Sequence, residues 1–299
     1  MSAISPCARW NIVGTTIAGT GTAGNGSNQL DYPEGLFIHK PTNTLYVVDS
    51  FNSRIQSFLL DQPSNISTIV IPNLRYPSRI YVDDGENVST IYATDSYPLY
   101  CGVQWVVGVP SGVSLGDKFS SCRGISIDKE KSVFLTDWLL DILIKESPGM
   151  NDSIVIAGKP KECNSTSKHF CGPNGIFVDQ TSGAVYVADT WNNRIQKWLK
   201  NAQEGITVAG SSNGSYGHDA ASLYSPQDVF VDIDTSVLYT ADGYNGRIQR
   251  WLPGALKGDT IIGGVGMLFN VYLIKKRTLT EIYEAVLYLH GVTSFVKSF

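Results

Sequence analysis

Short apolar runs and turn clusters alternate along most of this chain. Residues 175–198 read GIFVDQTSGAVYVADTWNNRIQKW. Within them, residues 175–179 alternate apolar and polar side chains, and 185–188 form a β-branched and aromatic run. Residues 194–198 form a third such run, and short Gly-, Asn-, Ser- and Asp-rich gaps divide the three. Runs of this length with this turn chemistry predict antiparallel strands joined by tight loops.

The same phrase recurs. DSFNSRIQ begins at Asp49, DSYPLYCGVQ at Asp95, DWLLDILIK at Asp137, DTWNNRIQ at Asp189 and DGYNGRIQ at Asp242, 42 to 53 residues apart. Upstream of each lies a first-strand run: GLFIH at 35, RIYVD at 79, GISID at 124, GIFVD at 175 and DVFVD at 228. Downstream lies a fourth: STIVI at 67, SIVIAG at 153, ITVAG at 206 and DTIIGG at 259, with TTIAG at 15 ahead of the first copy. A period of this length holding four strands predicts propeller blades.

These motifs resemble the NHL-repeat β-propellers: Pro-x-Gly-apolar, a Tyr-Val-Ala-Asp-like strand, then Asn-x-Arg-Ile-Gln. The pattern is complete in PEGLFIH to NSRIQ and in PNGIFVD to NNRIQ, nearly so in PQDVFVD to NGRIQ, and degenerate in the second and third copies. The resemblance implies an all-β propeller with five recognisable four-stranded blades of a six-bladed ring. Residues 1–8 form an N-terminal segment and 9–263 the propeller. Because RWNIVGTTIAG at 9–19 matches RWLPGALKGDTIIGG at 250–263, the leading strand is expected to complete the last blade. Residues 264–299 form an atypical tail, read as a degenerate sixth blade, a cap or an out-of-frame translation. Thr278 and Glu281 have capping-box spacing ahead of Ile282, Ala285, Val286 and Leu289, which predicts an amphipathic helix there.

In an up-and-down blade, the loop from strand two to three and the loop leading into the next blade share one face. That face collects Phe51, Tyr97, Leu139, Trp191 and Tyr244, each two residues after the blade Asp. It also collects Glu34, Ser78, Arg123, Asn174 and Gln227 at the first-strand openings near the central channel. Phe51, Tyr97, Trp191 and Tyr244, with Glu34, Arg123, Asn174 and Gln227, are the candidate ligand-binding residues, because large rigid rings supply contact area at little entropic cost. The competing expectation is that the rings merely cover neighbouring blades. Asp49, Asn52, Arg54, Asp189, Asn192, Arg194, Asp242, Asn245 and Arg247 recur in three blades. A catalytic pair is needed once, so these are read as structure.

Composition narrows the function. Hydrophobic residues make up 42% of the 299 and charged residues 17%, with 29 glycines and a formal charge of −4. That balance suits many short strands and argues against nucleic acid as a partner. No apolar run reaches transmembrane length. Five cysteines lack zinc-site spacing, and the local pairings are Cys101 with Cys122 and Cys163 with Cys171, leaving Cys7. Asn-X-Ser/Thr triplets at Asn25, Asn65, Asn87, Asn151, Asn164 and Asn213 are candidate glycosylation sites. Together these point to the secretory pathway or the extracellular space, although the first residues carry no apolar signal core; the cytoplasm is the alternative.

The family resemblance also brings enzymes, notably the metal-dependent peptide-amidating lyase, which holds its metal with histidines. Here His39, His169, His218 and His290 fall at different repeat positions, and no nucleophile elbow or phosphate loop is present. RNA- or protein-binding NHL modules of ubiquitin ligases are a further alternative, without their RING and B-box parts. The reading is a non-catalytic module, without cofactor or metal, that binds a protein, peptide or glycan on its aromatic face.

Overall fold

The computed structural model of the chain describes residues 17–60, 67–84, 89–97, 100–116, 119, 121–149, 152–263, 270–273, 285–289 and 292–296. Twenty of its strands form five antiparallel sheets of four in sequence order. Blade one holds β1 (Pro33–His39), β2 (Thr44–Asp49), β3 (Arg54–Leu59) and β4 (Thr68–Ile71). Blade two holds β5 (Ile80–Asp84), β6 (Ser89–Tyr97), β7 (Tyr100–Val106) and β8 (Val113–Leu115). Blade three comprises β9 (Cys122–Ile127), β10 (Val133–Asp137), β11 (Ile142–Glu146) and β12 (Ile154–Gly158). Blade four comprises β13 (Pro173–Val178), β14 (Val185–Asp189), β15 (Arg194–Trp198) and β16 (Ile206–Gly210). Blade five comprises β17 (Pro226–Asp232), β18 (Val237–Asp242), β19 (Arg247–Trp251) and β20 (Asp259–Gly263). The five blades form a β-propeller.

The core is distributed between blades. Val48, Ile55 and Ile71 of blade one pack on Ile80, Val82 and Ile91 of blade two. Tyr186, Ala188 and Ile195 of blade four meet Val229, Val231 and Leu238 of blade five. Each middle strand is therefore covered on both faces: every residue of β2, β10 and β14 is buried. That is why TLYVVD and VYVAD read as continuous apolar runs closed by a carboxylate.

Glycines set how closely the inner strands approach. A Cβ on Gly35 would lie 2.6 Å from the Ser78 carbonyl oxygen of blade two, and one on Gly124 would lie 2.3 Å from the Asn174 oxygen of blade four. The glycine that opens each of these first strands thus admits the neighbouring blade's backbone.

The tail corrects one expectation. Ala285–Leu289 is not helical: it is strand β22, paired antiparallel with β21 (Asn270–Leu273) and β23 (Val292–Val296). Over five residues, helical and strand periodicities are hard to separate, and pairing on both sides satisfies the backbone of AVLYL across the sheet. Thr278, Glu281 and Ile282 lie outside the described residues. β21 contacts β17, β18 and β1. Residues 9–16 of the leading strand are also outside the described residues, while Ala18 packs with Leu30, Leu36 and Leu45 of blade one. No helix among the described residues is long and apolar enough to cross a membrane.

Candidate functional site

A recurrent β-bulge builds the channel mouth. Pro33 pairs with Asp49 and Gly35 with Val48, leaving Glu34 as the extra residue. Gln227 is extra between Pro226 and Asp228, and Arg123 between Cys122 and Gly124. Asn174 lies in the corresponding shift after Pro173. Bulged residues leave the ladder and re-aim their side chains.

Here they reach one another. Arg123 Nη1 of blade three lies 3.3 Å from Glu34 Oε2 of blade one, and its guanidinium sits 5.0 Å from the Trp138 ring centroid. Asn174 donates through Nδ2 to Gln227 Oε1 at 2.8 Å. Burial pushes the Glu34 carboxyl above the usual carboxylate range, against the pull of Arg123 and Arg79. Ser78, from the same sequence-derived set, is buried; its hydroxyl donates to the Arg123 carbonyl, so it supports the mouth from beneath.

Arg79 and Asp228 escaped the sequence reading. Arg79 of blade two crosses the channel, its Nε 3.7 Å from Asp228 Oδ2 and its Nη2 donating to the Gln227 carbonyl at 3.1 Å. The signal was present, because both stand where the other three copies have glycine.

Around this polar centre lie the rings. Phe51 is 58% exposed, Trp191 53% and Tyr244 58%, and Leu139 occupies the equivalent place in blade three. The side chain of Tyr97 is outside the described residues. Each ring leans on an aromatic side chain of a neighbouring loop. Phe51 stacks on Tyr32 at 4.6 Å, Trp191 meets Trp138 edge-on at 5.1 Å, and Tyr244 meets Tyr224 at 4.9 Å. Gly172 has φ of +57°, and a Cβ there would come within 2.8 Å of the Trp191 ring. The rings are therefore supported from below and open above.

The recurrent Asp, Asn and Arg form a staple for the loop leading into each blade. Asp189 Oδ1 accepts the Cys171 N–H at 2.7 Å, while Oδ2 accepts Arg194 Nε at 2.8 Å and Asn192 Nδ2 at 2.9 Å. Arg194 then donates to the carbonyls of Ser165, Thr166, His169 and Ser212. Asp49, Asn52 and Arg54 do the same for the loop through Gly24, Asn25 and Gly26. Asp242, Asn245 and Arg247 hold Gly217, His218 and Asp219. Burial pushes the Asp189 carboxyl up to about 6, although Arg194 and the N–H donors pull it down; Asp242 is likewise raised by burial.

Blade three lacks the staple. Asp137 Oδ1 accepts the Leu139 and Leu140 N–H groups, and its buried Oδ2 has no partner among the described residues. A disulfide stands nearby instead: Cys101 in β7 bonds to Cys122 in β9, tying blade two to blade three. The second disulfide, Cys163–Cys171, closes the loop ahead of blade four.

The histidines do not converge. His39 is buried, with Nδ1 at 2.6 Å from Thr42 Oγ1 in the turn between β1 and β2. The His169 side chain is mostly buried, with Nε2 3.1 Å from Glu162 Oε2. His218 bonds Asn245 at 2.6 Å, and His290 lies outside the described residues. Among the described residues no group of three or more His, Cys, Asp or Glu could hold a metal. A groove of about 380 Å³ opens between blades three and four on the opposite face, lined by Phe134, Leu143, Val155 and Trp198. Its Lys145 already pairs with Asp128 at 3.4 Å.

Residues 170–198, spanning the blade-four staple and Trp191, match the NHL repeat family. The chain is a β-propeller that carries an NHL repeat. Among its relatives, peptidyl-glycine alpha-amidating monooxygenase A of Xenopus laevis is 30% identical over 128 residues. The mouse peptidyl-glycine alpha-amidating monooxygenase is 28% identical over 129 residues. These alignments cover 42% of this chain but only 14% and 13% of the relatives' length. Among solved structures, a protein of unknown function from Bacteroides thetaiotaomicron superposes with a TM-score of 0.72 at 16% identity, over 95% of this chain and 75% of its own. A chain of a nidogen/laminin complex superposes with a TM-score of 0.62 at 18% identity, over 79% and 81%. At these identities the NHL propeller shares their fold.

Proposed function

We propose that this NHL propeller is a binding module that captures a peptide, either free or as a segment of a partner protein, on its aromatic face. The observation that carries the reading is that Phe51, Trp191 and Tyr244 are more than half exposed while each is braced by a neighbouring ring. A braced, exposed ring has lost its conformational freedom before binding, so contact with a ligand costs little further ordering. Arg123, Glu34, Asn174 and Gln227 at the channel mouth would supply polar selectivity. The name of the Xenopus relative, which describes a peptidyl-glycine substrate, supports a peptide over a glycan.

The test is capture from a displayed random-peptide library. The wild-type chain should enrich peptides, and Phe51→Ala/Trp191→Ala/Tyr244→Ala should lose them with melting nearly unchanged. Equal capture by the triple variant, or no enrichment by wild type, overturns the reading; enrichment on a glycan array alone would replace the peptide with a glycan.

A second reading, favoured by the same relatives, is a catalytic peptide-processing domain. The resemblance to the metal-dependent lyase would require a bound metal, and elemental analysis of purified protein separates the two. We also propose that the ring closes at six blades, with β21–β23 between blades five and one, as the contacts of β21 with β17 and β1 support. The two disulfides support residence in an oxidising, extracellular compartment.

A further inference from the structure

Two of the Asn-X-Ser/Thr triplets adjoin in space. Asn164-Ser165-Thr166 lies in the loop closed by Cys163–Cys171, and Asn213-Gly214-Ser215 lies in the loop between β16 and β17. A Cβ on Gly214 would be 3.0 Å from the Ser165 Cβ, so the loops touch. One guanidinium holds both, because Arg194 Nη1 donates to the Ser165 and Ser212 carbonyls, while Asn193 Nδ2 donates to the Gly214 carbonyl at 2.9 Å. The backbones are anchored inward and the two asparagines are exposed.

Their carboxamides share one arrangement. Asn164 Oδ1 accepts the Thr166 N–H at 3.2 Å, and Asn213 Oδ1 accepts the Ser215 N–H at 3.0 Å and its hydroxyl at 2.6 Å. Each Oδ1 is thus engaged by the hydroxyl-bearing residue of its own triplet, and neither Nδ2 has a hydrogen-bond partner among the described residues. Asn65, Asn87 and Asn151 lie outside the described residues.

We propose that Asn164 and Asn213 are paired N-glycan acceptors bordering the aromatic face beside Trp191. In the modification, Asn Nδ2 forms a bond to the anomeric carbon of an oligosaccharide carried on a lipid pyrophosphate. The bond from that carbon to the pyrophosphate oxygen breaks, the lipid pyrophosphate leaves with the electron pair, and the Nδ2 proton passes to a base of the transferase. Both asparagines are exposed, so each can carry a sugar outside the packed core. The proposal rests on the oxidising-compartment reading, which the disulfide in the Asn164 loop itself supports. Sugars on both loops would restrict approach to Trp191 from the blade-four and blade-five side.

The chain isolated from cells that make it, digested without reduction and treated with N-glycosidase in ¹⁸O-water, tests this. Peptides containing positions 164 and 213 should carry the ¹⁸O-aspartate mark. Asn164→Gln and Asn213→Gln should each remove one step of the glycosidase-sensitive mass shift and keep the wild-type melting temperature. Full recovery of both peptides unmarked, with Cys163–Cys171 intact, overturns the glycan proposal and leaves the compartment reading standing. Unmarked peptides with free thiols overturn both.

Discussion

Arg79 of blade two and Asp228 of blade five stand at the same repeat position and meet across the central channel, Nε to Oδ2 at 3.7 Å. Blades one, three and four have glycine there, and the two blades that abandon it do so with opposite charges. Both side chains are buried, so removing either takes a charge partner from the other in a low-dielectric interior. Arg79→Gly and Asp228→Gly should each destabilise the ring, and the double variant, which restores the repeat residue in both blades, should cost less than their sum. Urea denaturation of the four proteins measures the coupling, expected at about 0.5–3 kcal/mol. Strict additivity would refute the pairing.

Arg194 is 1% exposed and binds a fully buried carboxylate as well as four backbone carbonyls. Replacing it by alanine strands Asp189, with an expected loss of about 3–5 kcal/mol. Lysine should rescue little, because one ammonium cannot reproduce the fork that spans two loops. Denaturation midpoints of Arg194→Ala and Arg194→Lys check this; a lysine variant near wild-type stability would mean the carbonyl contacts contribute little.

Glu34 offers a pH signature. Burial raises its pKa despite Arg123, so the native state holds its proton at a higher pH than the unfolded chain does. Such a group favours folding most in acid, and that contribution is lost as pH rises through the native pKa. Glu34→Gln, which mimics the protonated form, should match or exceed wild-type stability at neutral pH, with the difference closing as pH falls. A glutamine variant that is markedly weaker at pH 7 would show that the Arg123 pair outweighs desolvation.

The Cys101–Cys122 bridge crosses a blade boundary where the arginine staple is missing, over a separation of 21 residues; Cys163–Cys171 closes a separation of 8. Losing either by serine substitution should cost roughly 2–4 kcal/mol, the longer closure more on chain-entropy grounds. Hydrogen exchange of Cys101→Ser/Cys122→Ser should show the loss of protection centred on β7 and β9. Protection lost evenly around the ring would contradict a local tie.

Periodicity along the chain determined the blade plan, because strand alternation, turn chemistry and the position of the Asp, Asn and Arg staple are set within some thirty residues of one another. Their recurrence also marked Asp189 and Arg194 as structure, and the loop spacing placed Phe51, Trp191 and Tyr244 on one face with Glu34 and Arg123. What only the tertiary structure decided lies at longer range. Arg79 bonds the Gln227 carbonyl 148 residues away, a relationship created by ring curvature and invisible to any local period. The bulge that turns Glu34, Arg123, Asn174 and Gln227 toward the channel appears only when each first strand is read against its partner. Pairing with β21 and β23 likewise decided that Ala285–Leu289 is a strand, since five residues of mixed apolar pattern suit either period and only neighbouring strands satisfy the backbone in the extended form.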